Sequence, residues 1–523
     1  MSQVDHAASR RGARRPSHDG AVTSSRLLGV LATAAALAAS QLTAALLDVR
    51  ESPVLAIAQS AIRLTPGGVA EPIIGAVGTA DKPLTIAAVI VVMLLLGGVI
   101  GGWWSEHRVR AVAGVAVLVA LATAAVLTRP YGSVGGVVAC LAGGAVLLGV
   151  LALLHREPSR SDDGDQGPAV TRRRMLKLVG AVAVATAVAG TAGELLASRH
   201  RRRRELDRLR ASLRLPTRRL PTPPGVDLNV GGQAPWRTSN RAFYRIDTAL
   251  SPPLIDPTEW TLRIHGLVDR ELTVTYQDLL DRGLRDAWVT LCCVSNPVGG
   301  DLISTTVFSG VPMKDLLGEA GVQSGADMLL STSEDGWTCG TPLSALTDGR
   351  DALLAVGMDG VPLPVEHGFP VRQVVPGLYG YVSATKWVTD WEVTRFDDAE
   401  AYWTQRGWAA YGPVKTHSRI DVPRGTVDAG VVAVAGVAWA QHTGITKVEV
   451  RVDDDGWEKA ELAAVPSDDT WVQWRWEWDA LPGKHRLEVR ATDQSGYTQT
   501  SERADVLPDG ATGYHGIDIT VGS

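Results

Sequence analysis

The chain has 523 residues and a formal net charge of -5 at neutral pH. At about 150 residues per domain, that length is too great for one hydrophobic core and implies three or more units. That net charge says little about partners, and no basic stripe interleaved by aromatics marks a nucleic-acid surface.

The charge is unevenly spread. The first 200 residues are rich in Ala, Val, Leu and Gly, whereas nearly all the Trp and most of the Asp and Glu come later. A short tail, 1–26, precedes four apolar stretches at 27–47, 83–102, 111–127 and 134–154, each near the ~20 residues an α-helix needs to cross a bilayer. A fifth, 175–197, is Ala- and Gly-rich with Lys177 and Glu194 near its ends. Together they predict a membrane domain of about five helices over 27–200, since so many apolar runs are hard to bury in one half of a soluble protein. Between the first two, "SPVLAIAQSAIRL" is too short and polar to span and reads as an interfacial helix or structured external loop. Arg10, Arg11, Arg14, Arg15 and Arg26, then Arg108 and Arg110, then Arg156, Arg160 and Arg172 to Arg174 all fall on one face if helices alternate. Basic short loops mark that face as cytoplasmic. Five crossings then place everything after residue 200 outside a cell membrane. "RHRRRR", 199–204, breaks the rule on that outer face. "TRRRMLKLVGAVAVATAVAG" offers two explanations: Arg173 and Arg174 resemble a twin-arginine export signal, or they are an ordinary block of positive charge before a helix.

A Pro- and Arg-rich linker spans 201–233, and its prolines over 213–232 favour an extended tether. From 234 to 412 short strands ("WTLRIHGLV", "ELTVTY") and helices ("YQDLLDRG", "MKDLLGEAG") give an α+β pattern. From 413 to 523 the alternation of Val448, Val450 and Val452, of Trp474, Trp476 and Trp478, and of Leu487, Val489 and Ala491 with charged residues predicts a β-sandwich. The tryptophan stripe reads as core or interface rather than a ligand site.

Cys292 and Cys293 are adjacent, in a chain with only four cysteines. Neighbouring Cα atoms lie ~3.8 Å apart, below the ~4.4 to 6.8 Å of a disulfide, so the two are poor partners for each other. Cys339 is an alternative partner for one of them, and Cys140 reads as a small apolar residue in a membrane helix. A remaining single thiol with no His or Cys cluster cannot make a zinc site. It suits a metal ligated mostly by something else, which means a cofactor.

"TLCCVSNPVGGDLISTTVFSGVPMKDLL" resembles the sulfite oxidase family of molybdopterin-dependent oxidoreductases, whose motif is a Cys followed two or three residues later by Asn, then an aromatic-x-Gly-Val-Pro-Leu segment. "FYRIDTAL", "WTLRIHGLVDRELTVTYQDLL" and "VPLPVEHGFPVRQVVPGLYGYVSATKW" match in the same order. The likeness covers about 236–406. The last domain is similar to the immunoglobulin-like dimerisation domain that follows in that family, which implies a homodimer through it. The resemblance implies a molybdenum–molybdopterin cofactor with Cys293 as the metal's thiolate ligand, held in an enzyme whose chemistry is the cofactor's. It assigns Asn240, Phe243, Tyr244, Thr332, His367, Arg372 and Lys386 to cofactor binding, and Arg245 and Arg406 to anion contacts at the catalytic centre. The chain departs from the family at the substrate pocket. Pro297 and Val298 stand where an arginine follows the Cys motif, Val356 replaces the pocket tyrosine, and Phe308 replaces a Trp. Fewer cations bind a desolvated dianion weakly, so a neutral or singly charged substrate such as a sulfoxide is open beside a sulfur oxyanion. No CxxCH and no Cys-rich run is present, so no haem is expected and an unidentified redox partner in or near the membrane is implied. Two other classes compete: a non-catalytic, membrane-anchored binding or scaffold protein that retains the fold, and a transporter. The helices carry few of the charges a transport path needs.

Overall fold

A computed structural model describes residues 18–65, 81–130, 132–155, 177, 179–191, 198–216 and 220–522. It divides into two compact units, Met1–Arg201 and Arg202–Ser523.

In the first unit, four helices have the length and composition to cross a membrane: Ser25–Leu46 (within His18–Leu46), Lys82–Glu106, Arg108–Leu127 and Val134–Leu154. They match the four apolar stretches read from the sequence. Gly29, Gly97 and Gly101 leave no space for a Cβ where the first two of these helices cross, a close backbone approach that small residues permit. The amphipathic stretch between them is the helix Pro53–Leu64, started by its proline. Arg129 reaches back to the turn ahead of that helix, pairing with Glu51 at 3.0 Å in a largely buried site. Of the expected fifth span, the described helical part Val179–Thr191 is shorter than a crossing. Arg173 and Arg174 lie outside the described residues.

The second unit begins in a helix. This helix, Ser198–Ser212, precedes the proline-rich stretch 213–232 read as a tether. Leu206 is buried among Phe243, Val289, Phe308 and Phe369, Arg203 pairs with Glu366 at 2.7 Å, and Arg210 Nη1 donates to the Pro362 carbonyl at 3.2 Å. Further on, Val226 is buried in the main core. Leu206 and Val226 thus find long-range partners that a count of prolines and arginines does not reveal.

The α+β part is built on ten strands: β1 (Thr261–Gly266), β2 (Leu272–Thr275), β3 (Arg285–Cys292), β4 (Ile303–Pro312), β5 (Met328–Ser333), β6 (Thr338–Pro342), β7 (Leu353–Met358), β8 (Val361–Pro362), β9 (Arg372–Val374) and β10 (Val388–Thr394). One sheet runs β2-β1-β10-β5-β6, parallel only between β1 and β10. The other runs β3-β4-β7-β8 with β9 paired to β7. The expected helices are present. Tyr276–Asp281 starts with a capping box between Thr275 and Asp278, and Met313–Ala320 ends on Gly321 with φ +72°. β4 is buried along nearly its whole length, so its Ser and Thr residues need internal partners. Ser304 takes the Tyr244 N–H at 3.2 Å, and Thr305 is bonded to Thr290.

The C-terminal part has nine strands: β11 (His417–Val422), β12 (Thr426–Val427), β13 (Gly430–Trp439), β14 (Ile445–Val452), β15 (Glu458–Lys459), β16 (Glu461–Leu462), β17 (Val472–Ala480), β18 (Gly483–Asp493) and β19 (His515–Val521). They form sheets of order β11-β13-β17-β16 and β12-β19-β18-β14-β15. Val448, Val450, Val452, Trp474, Trp478, Leu487, Val489 and Ala491 share the core between them. Trp476 is half-buried and donates to Glu458, so the stripe is core and edge.

Candidate active site

Cys293 is the first residue of the connection between β3 and β4, whose last register pair is Cys292 with Ile303. The connection is closed by its own backbone. Cys293 N–H donates to the Leu302 carbonyl at 3.0 Å, Asn296 N–H to Cys293 at 3.1 Å, and Gly300 N–H to Pro297 at 2.9 Å. Asn296 Oδ1 accepts the Leu302 N–H at 2.9 Å. Gly299 has φ +78°, and a Cβ on Gly300 would meet the Asn296 side chain and Pro297, so both positions favour glycine. All four cysteines are free, and Cys292, Cys293 and Cys339 are buried; the alternative of a bridge to Cys339 is not realised. Burial pushes the Cys293 thiol up, opposed by hydrogen bonds from Ser295 and by Lys386. A metal binding there displaces a proton.

Around this thiol the structure gathers most of the other residues singled out by sequence. β9 carries Arg372, which pairs as a β-bridge with Lys386. Arg372 is buried, lies 5.5 Å over the Phe308 ring, and donates to the His367 carbonyl at 3.3 Å. Among the described residues no carboxylate pairs with it, and burial lowers its pKa to about 10. Lys386 is buried too, bonded to Asp247 at 3.1 Å. Burial, partly offset by Asp247 and reinforced by Arg372, brings its pKa to about 8. His367 Nε2 meets the Asn240 carbonyl at 3.0 Å, while its Nδ1 and Asn240 Oδ1 are buried without a partner. Burial and the two cations hold His367 at about 4, so it is neutral at physiological pH. Phe243 stands edge-on to His367, with ring centroids 5.6 Å apart, and stacks on Tyr244 at 5.4 Å. Burial, with Cys293 and Cys292 nearby, raises the Tyr244 hydroxyl well above its usual value.

Three residues sit differently. Arg245 is partly exposed and shares Asp247 with Lys386, at 2.9 Å. Thr332 lies on β5 in the other sheet. By strand alternation it faces away from the side on which Ser331 bonds Thr385 at 2.6 Å. Arg406 lies over the Tyr402 ring at 3.7 Å and donates to the Tyr402 carbonyl at 2.7 Å.

Sequence reasoning missed Asp247, which neutralises part of the cation pair from 139 positions away. It also missed Ser295 beside the thiol. No local signal distinguishes either from an ordinary loop residue. Among the described residues no group of three or more His, Cys, Asp or Glu could hold a metal by itself. The arrangement is one buried thiol, two buried cations, and polar atoms lacking partners. That set fits a metal brought by a chelating anionic group with hydrogen-bonding edges.

The family match and the relatives in sequence give the same direction. Residues 249–403 match the oxidoreductase molybdopterin binding domain family. The chain is 30% identical over 182 residues to the uncharacterized oxidoreductase YuiH of Bacillus subtilis, covering 35% of this chain and 88% of that one. It is 27% identical over 318 residues to sulfite oxidase of Gallus gallus, covering 49% and 68%. It is 28% identical over 284 residues to mitochondrial sulfite oxidase of Homo sapiens, covering 46% and 51%. The crystal structure of the sulfane dehydrogenase SoxCD from Paracoccus pantotrophus aligns with a TM-score of 0.48 at 22% identity, over 57% of this chain and 86% of that one.

Proposed function

The chain belongs to the sulfite oxidase family of molybdopterin-dependent oxidoreductases, and from that premise we propose a membrane-anchored oxidoreductase that moves an oxygen atom to or from a small sulfur compound. Bound, a molybdenum–molybdopterin cofactor supplies two-electron oxygen-atom chemistry that no side chain here can perform.

The protein's share is binding and electrostatics. The observation that carries the reading is the buried, carboxylate-free Arg372 beside Lys386, with His367 Nδ1 and Asn240 Oδ1 lacking partners, all grouped about the Cys293 thiol. Arg372 and Lys386 would hold the anionic part of the cofactor, and Asn240, His367 and Tyr244 its polar edges. Phe243 and Phe308 keep water from both. Cys293 would be the metal's protein ligand. Arg245 and Arg406 are the cations left for substrate. Asp247 already neutralises part of Arg245 and Tyr402 occupies Arg406, which supports a substrate of low charge, such as a sulfoxide, over a dianion.

The four apolar helices support a multi-pass membrane anchor, with Arg173 and Arg174 as a twin-arginine signal that exports the folded, loaded domain. The two-sheet C-terminal part is then the family's immunoglobulin-like dimerisation domain, and electrons pass to a partner in or near the membrane.

The test is Cys293→Ser in the full chain, with molybdenum measured on the purified protein and turnover screened with sulfite and with sulfoxides. The wild type is expected to hold about one molybdenum per chain and to turn over a sulfoxide. The variant should lose at least a hundredfold in rate, roughly 3 kcal/mol of barrier. Unchanged metal and turnover in the variant overturn the assignment.

A further inference from the structure

We propose that Arg419, on β11 of the C-terminal part, is a positioning residue for the Cys293 thiol, acting through the loop 293–302 that carries it. The inference rests on the reading of Cys293 as the functional thiol, and concerns how that thiol is aimed.

Arg419 is buried. Its Nε donates to Asp421 Oδ1 at 2.7 Å, and its Nη1 crosses to the α+β part to donate to the Gly300 carbonyl at 2.7 Å. Asp421 is held in turn, its other oxygen accepting the Ala234 N–H at 3.0 Å. Next to this pair, His515 Nδ1 accepts the Ile420 N–H at 2.9 Å, and its ring fills the space that a Cβ on Gly299 would need. The loop is therefore gripped from two sides. Asn296 ties it from within, bonding Leu302 and reaching Cys292 Sγ at 3.9 Å. Arg419 and His515 brace it from without.

Two features separate this from ordinary interface packing. The planar guanidinium spans a carboxylate and a carbonyl at once, which an ammonium on a flexible stem does not reproduce. The carbonyl it grips also lies inside the ring closed by the Cys293–Leu302 bond, so a shift at Gly300 passes to Asn296 and Cys293 with few free torsions to absorb it. Charge-assisted bonds of this kind are strong when buried, and losing this one leaves the Asp421 carboxylate without its cation.

The test uses the full chain in detergent, made without molybdopterin. Its thiols are alkylated with iodoacetamide and quantified peptide by peptide, with Cys339, buried in another sheet, as the internal reference. Arg419→Met is expected to raise the Cys293 to Cys339 labelling ratio at least fivefold, and Arg419→Lys about twofold to threefold, on the scale of one lost buried hydrogen bond. Circular dichroism establishes that each variant is folded; if the Met variant does not fold, the Lys variant decides. A ratio unchanged in a folded variant, or an equal rise at both cysteines, overturns the proposal. The readout needs no metal, so it stands or falls separately from the Cys293→Ser experiment.

Discussion

Held at about 4 by burial and by Lys386 and Arg372, the His367 imidazole makes the cradle's stability depend on pH in the absence of cofactor. Its folded pKa lies below the unfolded value of 6.5, so the unfolded chain binds the proton more tightly. Stability is full above about 6.5 and falls as the pH drops toward 4. The shift corresponds to about 3 kcal/mol at most. Denaturant melts of the cofactor-free chain between pH 4 and 7 should show this slope, and His367→Gln should flatten it. Lys386, lowered from 10.5 to about 8, also gains stability as pH rises, here from 8 to 10.5. Its attraction for an anion fades as it deprotonates around pH 8, so molybdenum retained on dialysis should fall between about pH 7 and 9. Arg372→Lys should cut retained molybdenum at least tenfold, because a point charge does not reproduce a planar fork. Cys293, His367, Arg372 and Lys386 could be singled out as candidates because each sits in a short run that resembles a family motif. Asp247 and Arg419 were not, because their partners lie more than a hundred positions away.

At the scale of elements, legibility followed burial. β14 and β18 of the C-terminal part bury one face each, so their alternation reveals both their positions and their core residues. β4 and β7 are buried almost throughout; with no wet face there is no period of two to read, and the run of Ser and Thr in β4 disguises a central strand. Helix starts were clearer. The capping box at Thr275 and Asp278 satisfies N–H groups that the short helix Tyr276–Asp281 cannot. Thr275→Ala should cost about 1 kcal/mol in chemical denaturation with the midpoint shifted and the slope kept.

At the scale of the whole chain, the apolar helices were legible from length alone, and the proposed export route gives them a testable order of events. Replacing Arg173 and Arg174 by Lys should leave the region after residue 201 shielded from protease added to spheroplasts; unchanged accessibility would count against that route. The long-range seating of the segment after residue 201 could not be read from its composition. Leu206, buried beside Phe243 and Phe308, has a practical corollary for anyone who wishes to express the enzyme free of its hydrophobic half. A fragment begun at the first proline of "LPTRRLPTPP" would expose an apolar socket next to the cradle, whereas one begun at Ser198 would keep it plugged. The shorter fragment should aggregate and accumulate empty of metal.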